Sequence, residues 1–255
     1  MEKNERNFIF GIRAVMEAIK AGKPIDKLLV KSGLQGEIWK ELQPLITELE
    51  IPYQYVPQEK LNRLTSKNHQ GVLAFISAVE FYTIEDVIPR IYEEGKTPFI
   101  VVLDGVSDVR NFGAIVRSAE CAGANAVLIA EKGAAQVNAD AVKTSAGAIF
   151  NIPICRSKNL FRSLRYMQES GIKIIAATEK ASDFYFKADL TGPIALVMGA
   201  EDTGISNDII RISDIIAKIP INGSISSLNV SAAASVVMYE IVKQRLTADP
   251  HAFED

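Results

Sequence analysis

The chain has 255 residues, of which 48% are hydrophobic and 23% charged, the composition of an ordinary globular protein. That length allows one large domain or two ordinary ones, either able to bury a core. The formal net charge of −3 argues against a protein that coats nucleic acid through a uniformly basic surface, while a local basic patch stays open.

Apolar residues at helical spacing predict a first helix over Gly11–Lys20. Lys27–Lys31 reads as a strand, Glu37–Leu49 as a helix blemished by Pro44, and Pro52–Val56 as a short strand. Gln58–Leu64 follows as a helix and Val72–Val79 as a strand, completing a small α/β unit over residues 1–77. Residues 78–97 are acidic, contain Pro89 and end near Gly95 and Pro98. They predict a linker carrying a short helix at Ile84–Glu93.

Beyond it, Phe99–Leu103, Ala126–Ala130, Ile172–Ala177, Ile194–Met198 and Ile215–Ile219 are short, almost uniformly apolar runs. They suit a parallel sheet buried on both faces. Helices predicted at Gly113–Ala122, Ala139–Ala146, Leu160–Glu169 and Val230–Leu246 separate most of them, so residues 98–247 read as a doubly wound α/β domain before a tail at 248–255. Charge divides with the domains: residues 1–77 carry 11 basic against 9 acidic side chains, while both later segments are net negative.

Cys121 and Cys155 form no CxxC, and the only histidines are His69 and His251. A zinc site or a disulfide scaffold therefore has little support, and both cysteines are expected as small reduced core residues. The first ten residues are charged and lack the apolar core of a signal peptide, and no run approaches the ~18 apolar residues of a membrane span. A cytoplasmic protein is expected.

Ligands of doubly wound sheets bind beyond the carboxyl ends of the strands, so the loops there carry the chemistry. The strand FIVVL is followed by DGVSDVRNFGAIVRSAE, IALVM by GAEDTGIS, and the last strand by PINGSISSLNVSAAAS. Each loop combines glycine with Asp, Glu, Asn or Ser. No G-x-G-x-x-G follows a strand, which disfavours a dinucleotide oxidoreductase. Gly199 and Gly204 have P-loop spacing, but Ile205-Ser206 replaces the Lys-Ser/Thr pair that nucleotide hydrolysis needs.

These three segments resemble, in order and spacing, the three motifs of the SpoU, or TrmH-like, branch of the SPOUT RNA methyltransferases. GIRAV and HQGVLA near the N-terminus resemble the RNA-binding domain of the branch's bacterial 23S rRNA guanosine-2′-O-methyltransferases. One position departs: Val109 follows Asp108 where the motif usually has proline, which removes no chemical group but could loosen the turn.

The resemblance implies a trefoil-knotted C-terminal domain behind a small N-terminal α/β RNA-binding domain. It also implies a homodimer and S-adenosylmethionine (AdoMet) as methyl donor, without metal. The implied partner is RNA, either 23S rRNA or a ribosome assembly intermediate. By the same resemblance, Asn111, Arg117, Glu201, Ser227 and Asn229 form the catalytic set, with Glu201 orienting Arg117 or Asn229. Thr178, Gly199, Ile219 and Leu228 contact AdoMet. Arg6, Arg13, Lys67, His69 and Gln70 are the candidate RNA contacts. A tRNA 2′-O-methyltransferase of the same branch and a non-catalytic RNA-binding paralogue are the rival readings.

Overall fold

The computed structural model describes residues 8–250, so Arg6 and His251 lie outside the described residues. The chain divides into two compact units. One holds the residues up to 80 together with 136–139, the other holds 81–135 and the residues from 140 on.

The first unit contains β1 (Phe8–Phe10), α1 (Ile12–Lys20), β2 (Ile25–Lys31), α2 (Glu37–Glu48), β3 (Tyr53–Val56), α3 (Gln58–Leu64) and β4 (Val72–Ile76). The four strands form one sheet in the order β1-β4-β2-β3. The two-residue period of β2 splits its side chains between faces. Leu28 and Val30 meet Val15, Ile19, Trp39 and Leu42 of α1 and α2. Leu29 faces the other way and packs with Val56, Leu73 and Leu61 of α3. β1 escapes sequence reading because three residues carry no period; its pairing with β4, Phe8 opposite Phe75, makes it a strand.

The second unit opens with α4 (Ile84–Glu93), the helix expected within a linker. It is not a linker: Ile84, Val87, Ile88 and Ile91 are buried in the main core beside Leu128, Leu164 and Ile174. Two of the acidic residues that suggested a solvated connection, Glu85 and Asp86, occupy the first helical turn, where they offset the helix dipole. Asp86 N–H donates to the Thr83 hydroxyl, and that hydroxyl donates to the Asp86 carboxylate at 2.6 Å.

Then follow β5 (Phe99–Asp104), α5 (Val109–Cys121), β6 (Ala126–Ala130), α6 (Ala139–Thr144) and β7 (Ile154–Ser157). α7 (Leu160–Glu169), β8 (Lys173–Ala177), β9 (Asp183–Phe184), β10 (Ile194–Gly199), α8 (Asn207–Ile212), β11 (Ile215–Lys218) and α9 (Val230–Ala248) complete the unit. The sheet is seven-stranded and parallel, ordered β7-β6-β5-β10-β8-β11-β9. β5 and β10 at its centre are almost wholly buried, as their uniformly apolar sequences require.

Sequence reading missed β7, β9 and α8, which are four, two and six residues long and too short to carry a period. Cys155 is buried on β7 as expected, and burial, with Glu85 and Asp86 nearby, pushes its thiol up to about 12. Cys121 is not a core residue: it ends α5 on the exposed side. Among the described residues no helix is long and apolar enough to cross a membrane.

Candidate active site

The loops after β5, β8, β10 and β11 all leave the carboxyl edge of the seven-stranded sheet. Three of them, with the start of α9, enclose a cleft of about 740 Å³, a volume typical of small-molecule sites.

The loop after β10 folds back on itself. Gly204 N–H donates to the Ala200 carbonyl at 2.9 Å, and Gly204 holds φ +67°. This brings backbone against Gly199 so closely that an added Cβ there would lie 2.2 Å from the Gly204 carbonyl carbon. The next turn is tied to the sheet, because Ser206 N–H donates to Asp104 Oδ2 at 2.7 Å. Asp104 was not among the expected site residues; its signal in the sequence is a carboxylate ending an otherwise apolar strand.

Glu201 projects from this loop to the N-terminal turns of two helices. Asn111 Nδ2 donates to Glu201 Oε1 at 2.7 Å, and Asn229 Nδ2 donates to the same oxygen at 2.9 Å. Asn229 Nδ2 also donates to Asn111 Oδ1 at 3.1 Å. Three residues from one loop and the starts of two helices thus close a ring of hydrogen bonds. The carboxylate sits where both helix dipoles favour negative charge.

Each asparagine is positioned by a cap. Asp108 begins α5 by accepting from the N–H groups of Arg110 and Asn111, both at 2.9 Å. Val109 therefore does not loosen the turn: the aspartate supplies the cap, and the first helical position tolerates valine or proline. Asn111 leaves its side chain free for Glu201. Asn229 is itself the cap of α9, its Oδ1 accepting from Ser231 N–H at 3.0 Å, so one side chain serves both helix and ring.

Thr178, Gly199, Ile219, Ser227 and Leu228 line the cleft with Glu201 and Asn229. Thr178 is buried and turns the chain after β8, its hydroxyl donating to Glu179 at 3.3 Å. Leu228 is 43% and Ile225 74% exposed, so the loop leading to α9 offers apolar side chains with no cover. Sequence reasoning missed Glu179, Lys180, Asp202 and Ile221 on the lining.

Arg117 does not join the ring. It is exposed on α5 and, among the described residues, has no hydrogen-bond or ion-pair partner. Six residues of helix set it about 9 Å along the axis and two-thirds of a turn away from Asn111. The expected pairing of Glu201 with Arg117 is thus absent, and the pairing with Asn229 is present.

Residues 98–239 match the model of the SpoU rRNA Methylase family. The chain is 38% identical over 241 residues to the 23S rRNA (guanosine-2′-O-)-methyltransferase RlmB of Yersinia pestis, covering 93% of this chain and 97% of that protein. The chain belongs to the SpoU rRNA methylase family.

A Bacillus subtilis member named for the TrmH family of tRNA/rRNA methyltransferases, YacO, is 32% identical over 242 residues, 94% of this chain and 97% of that one. The SpoU methyltransferase AviRb of Streptomyces viridochromogenes, in complex with AdoMet, superposes with a TM-score of 0.60 at 25% identity. That alignment covers 97% of this chain and 95% of that one. Residues 8–82 match a second model, RNA 2′-O ribose methyltransferase substrate binding.

In this unit of the SpoU chain, Arg13 and Lys67 are exposed, as RNA contacts must be. His69 is not available as one. It is 7% exposed, its Nε2–H donates to Asn62 Oδ1 at 2.8 Å, and its Nδ1 accepts from Gly71 N–H at 3.0 Å. Both ring nitrogens are spent on folding the 68–71 turn. Gln70 Oε1 accepts from Ile12 N–H at 3.1 Å and caps α1, whose own preceding residue, Gly11, has no side chain to do so.

Proposed function

We propose that this protein transfers a methyl group from AdoMet to the ribose 2′-hydroxyl of a guanosine in 23S rRNA. The observation that carries the reading is the Asn111–Glu201–Asn229 ring beside the cleft of a SpoU-family chain. When bound, AdoMet supplies an electrophilic methyl group on a sulfonium.

The cleft suits that donor. Ala177, Met198, Ile219 and Leu228 offer apolar walls to a flat base, and Gly199 keeps backbone bare of a side chain. Glu179, Glu201 and Asp202 against the single Lys180 leave an acidic excess that favours a cation. Thr178, Gly199, Ile219 and Leu228 hold the donor, and the Ser227 hydroxyl meets its methionine part or the ribose.

The acceptor hydroxyl is almost fully protonated at neutral pH, so the protein must orient the oxygen and ease its proton away. Positioning of this kind supplies much of a rate enhancement. Asn111 and Asn229 hold the Glu201 carboxylate in one place, and the ring orients the ribose. Arg117 has no bond to the ring and acts on the substrate separately from it. Its free guanidinium grips an RNA phosphate and polarises the hydroxyl; arginine hardly deprotonates, so its role is electrostatic.

Residues 1–77 bind the RNA, with Arg6, Arg13, Lys67 and the amide of Gln70 as contacts, and the RNA is 23S rRNA or an assembly intermediate in the cytoplasm. Two copies pair, a reading supported by the uncovered apolar side chains Ile225 and Leu228 before α9 and Val236 and Tyr239 upon it. The resemblance of the three motifs to the SpoU branch carries the reading of a knotted thread at the cleft.

Purified protein with labelled AdoMet should methylate ribosomal RNA lacking its own modifications and leave tRNA unlabelled. Equal labelling of tRNA overturns the substrate. Mapping of 2′-O-methyl groups at nucleotide resolution then identifies the position.

A further inference from the structure

Outside the cleft, three aromatic side chains in contact, two half-buried and one exposed, lie at the sheet edge beside it. β9 pairs with β11, Lys218 opposite Phe184, and Lys218 directly precedes Ile219 of the cleft wall. Phe184 and Phe186 stack with centroids 5.4 Å apart and planes 22° from parallel. Tyr185 stands edge-on to Phe186 at 5.4 Å. Lys187 Nζ lies 5.8 Å and Lys218 Nζ 5.7 Å from the Phe184 centroid.

Phe186 is 46% exposed, so its ring is accessible to a ligand from solvent. Neither lysine has an ion-pair partner among the described residues. The carboxylates flanking the cluster in sequence are engaged elsewhere: Asp183 accepts from the Ser182 hydroxyl and Asp189 pairs with Lys173. The cluster therefore presents one exposed ring, Phe186, beside two lysines that have no ion-pair partner among the described residues. That is the chemistry that stacks a nucleobase and holds its phosphate.

We propose that Phe184, Tyr185 and Phe186, with Lys187 and Lys218, form a stacking platform for an unpaired nucleobase of the RNA substrate next to the target nucleotide. The platform rests on the reading of the protein as an RNA methyltransferase, and adds to it a second anchoring point within the catalytic unit. Single-stranded RNA is held in this way by aromatic faces that accept any base and by cations on the backbone. A platform adjoining the cleft would fix the strand on one side of the target ribose, so its energy appears in RNA binding and leaves AdoMet binding untouched.

The test uses the full chain and the variants Phe186→Ala, Phe186→Leu and Phe186→Tyr. Two readouts are taken: KM and kcat for ribosomal RNA, and anisotropy of a fluorescent unstructured RNA oligonucleotide. Phe186→Ala and Phe186→Leu should weaken RNA binding and raise KM by about five- to a hundredfold, the worth of one stacked base. Phe186→Tyr should restore both, and AdoMet affinity should stay constant throughout. Active wild-type enzyme with unchanged KM and oligonucleotide affinity in Phe186→Ala overturns the platform and leaves the methyltransferase standing. Loss of oligonucleotide binding in Phe186→Ala, with a wild type that methylates no RNA, overturns the activity and keeps the platform. A change in oligomeric state of Phe186→Ala by light scattering assigns the rings to self-association and overturns it.

Discussion

Replacing Gly199 by alanine tests whether the loop after β10 shapes the donor site. The new Cβ would lie 2.2 Å from the Gly204 carbonyl carbon, 2.3 Å from Ile205 N and 2.6 Å from the Gly204 oxygen. All three are backbone atoms, so no side chain can rotate away. Ordinary contact begins at 3.4 Å, and the loop would have to retreat by 1.2 Å to reach it. Three ties oppose that: the Gly204–Ala200 bond, the Ser206–Asp104 bond and the burial of Ile205 at 2% exposure. Overpacking of a closed site costs about 1–3 kcal/mol. The strain falls on the loop that carries Glu201. Each 1.4 kcal/mol is tenfold in affinity, so AdoMet binding should weaken by about tenfold or more in calorimetric titration. Gly192→Ala is the control, since its Cβ meets nothing within 4 Å and its φ is not positive. Gly199→Ala binding AdoMet within about twofold of the wild type would refute the reasoning.

Asn229→Asp keeps the oxygen that caps α9 but sets a second carboxylate against Glu201. Thermal stability should stay close to the wild type while turnover falls at least tenfold, whereas Asn229→Ala also loses the cap, worth about 1 kcal/mol, and melts earlier. Arg117→Ala should retain AdoMet affinity and lose turnover, with Arg117→Lys recovering little because a point charge cannot reproduce the planar fork; unchanged kcat would remove Arg117 from the reaction. In the folded protein Cys121 should react promptly with a thiol reagent and Cys155 only on unfolding. Because burial holds Cys155 up to about 12, the stability it contributes is complete below the ordinary thiol value of 9.0 and is lost as the pH rises from there toward 12. Alkaline melting curves of Cys155→Ala should lack that component, and identical pH dependence in the two proteins would count against it.

Much of this protein was legible in its sequence, and the elements show why. The central strands β5 and β10 are uniformly apolar because a parallel sheet covers both faces, and that pattern is local enough to read. The loops that follow them could be named as the candidate site from strand position and residue type alone, and the three motifs carried the family. Less was legible where the physics is not local. The acidic stretch at 78–97 reads as a linker until Ile84, Val87, Ile88 and Ile91 find the core. His69 looks like a surface ligand until it is found buried, with its ring nitrogens bonded to Asn62 and Gly71.

The amino-acid sequence by itself determined the α/β alternation, the loops at one sheet edge and the residue types needed for methyl transfer. Only the tertiary structure decided which of those residues meet. Asn111, Glu201 and Asn229 lie 90 and 28 residues apart along the chain, yet share one carboxylate oxygen at 2.7 and 2.9 Å. Arg117, six residues from Asn111, points elsewhere. Helix geometry separates near neighbours in sequence, and strand order gathers distant ones at a common edge. Hydrogen bonds reach only about 3 Å, so the fold, not the motif, sets the chemistry of the site.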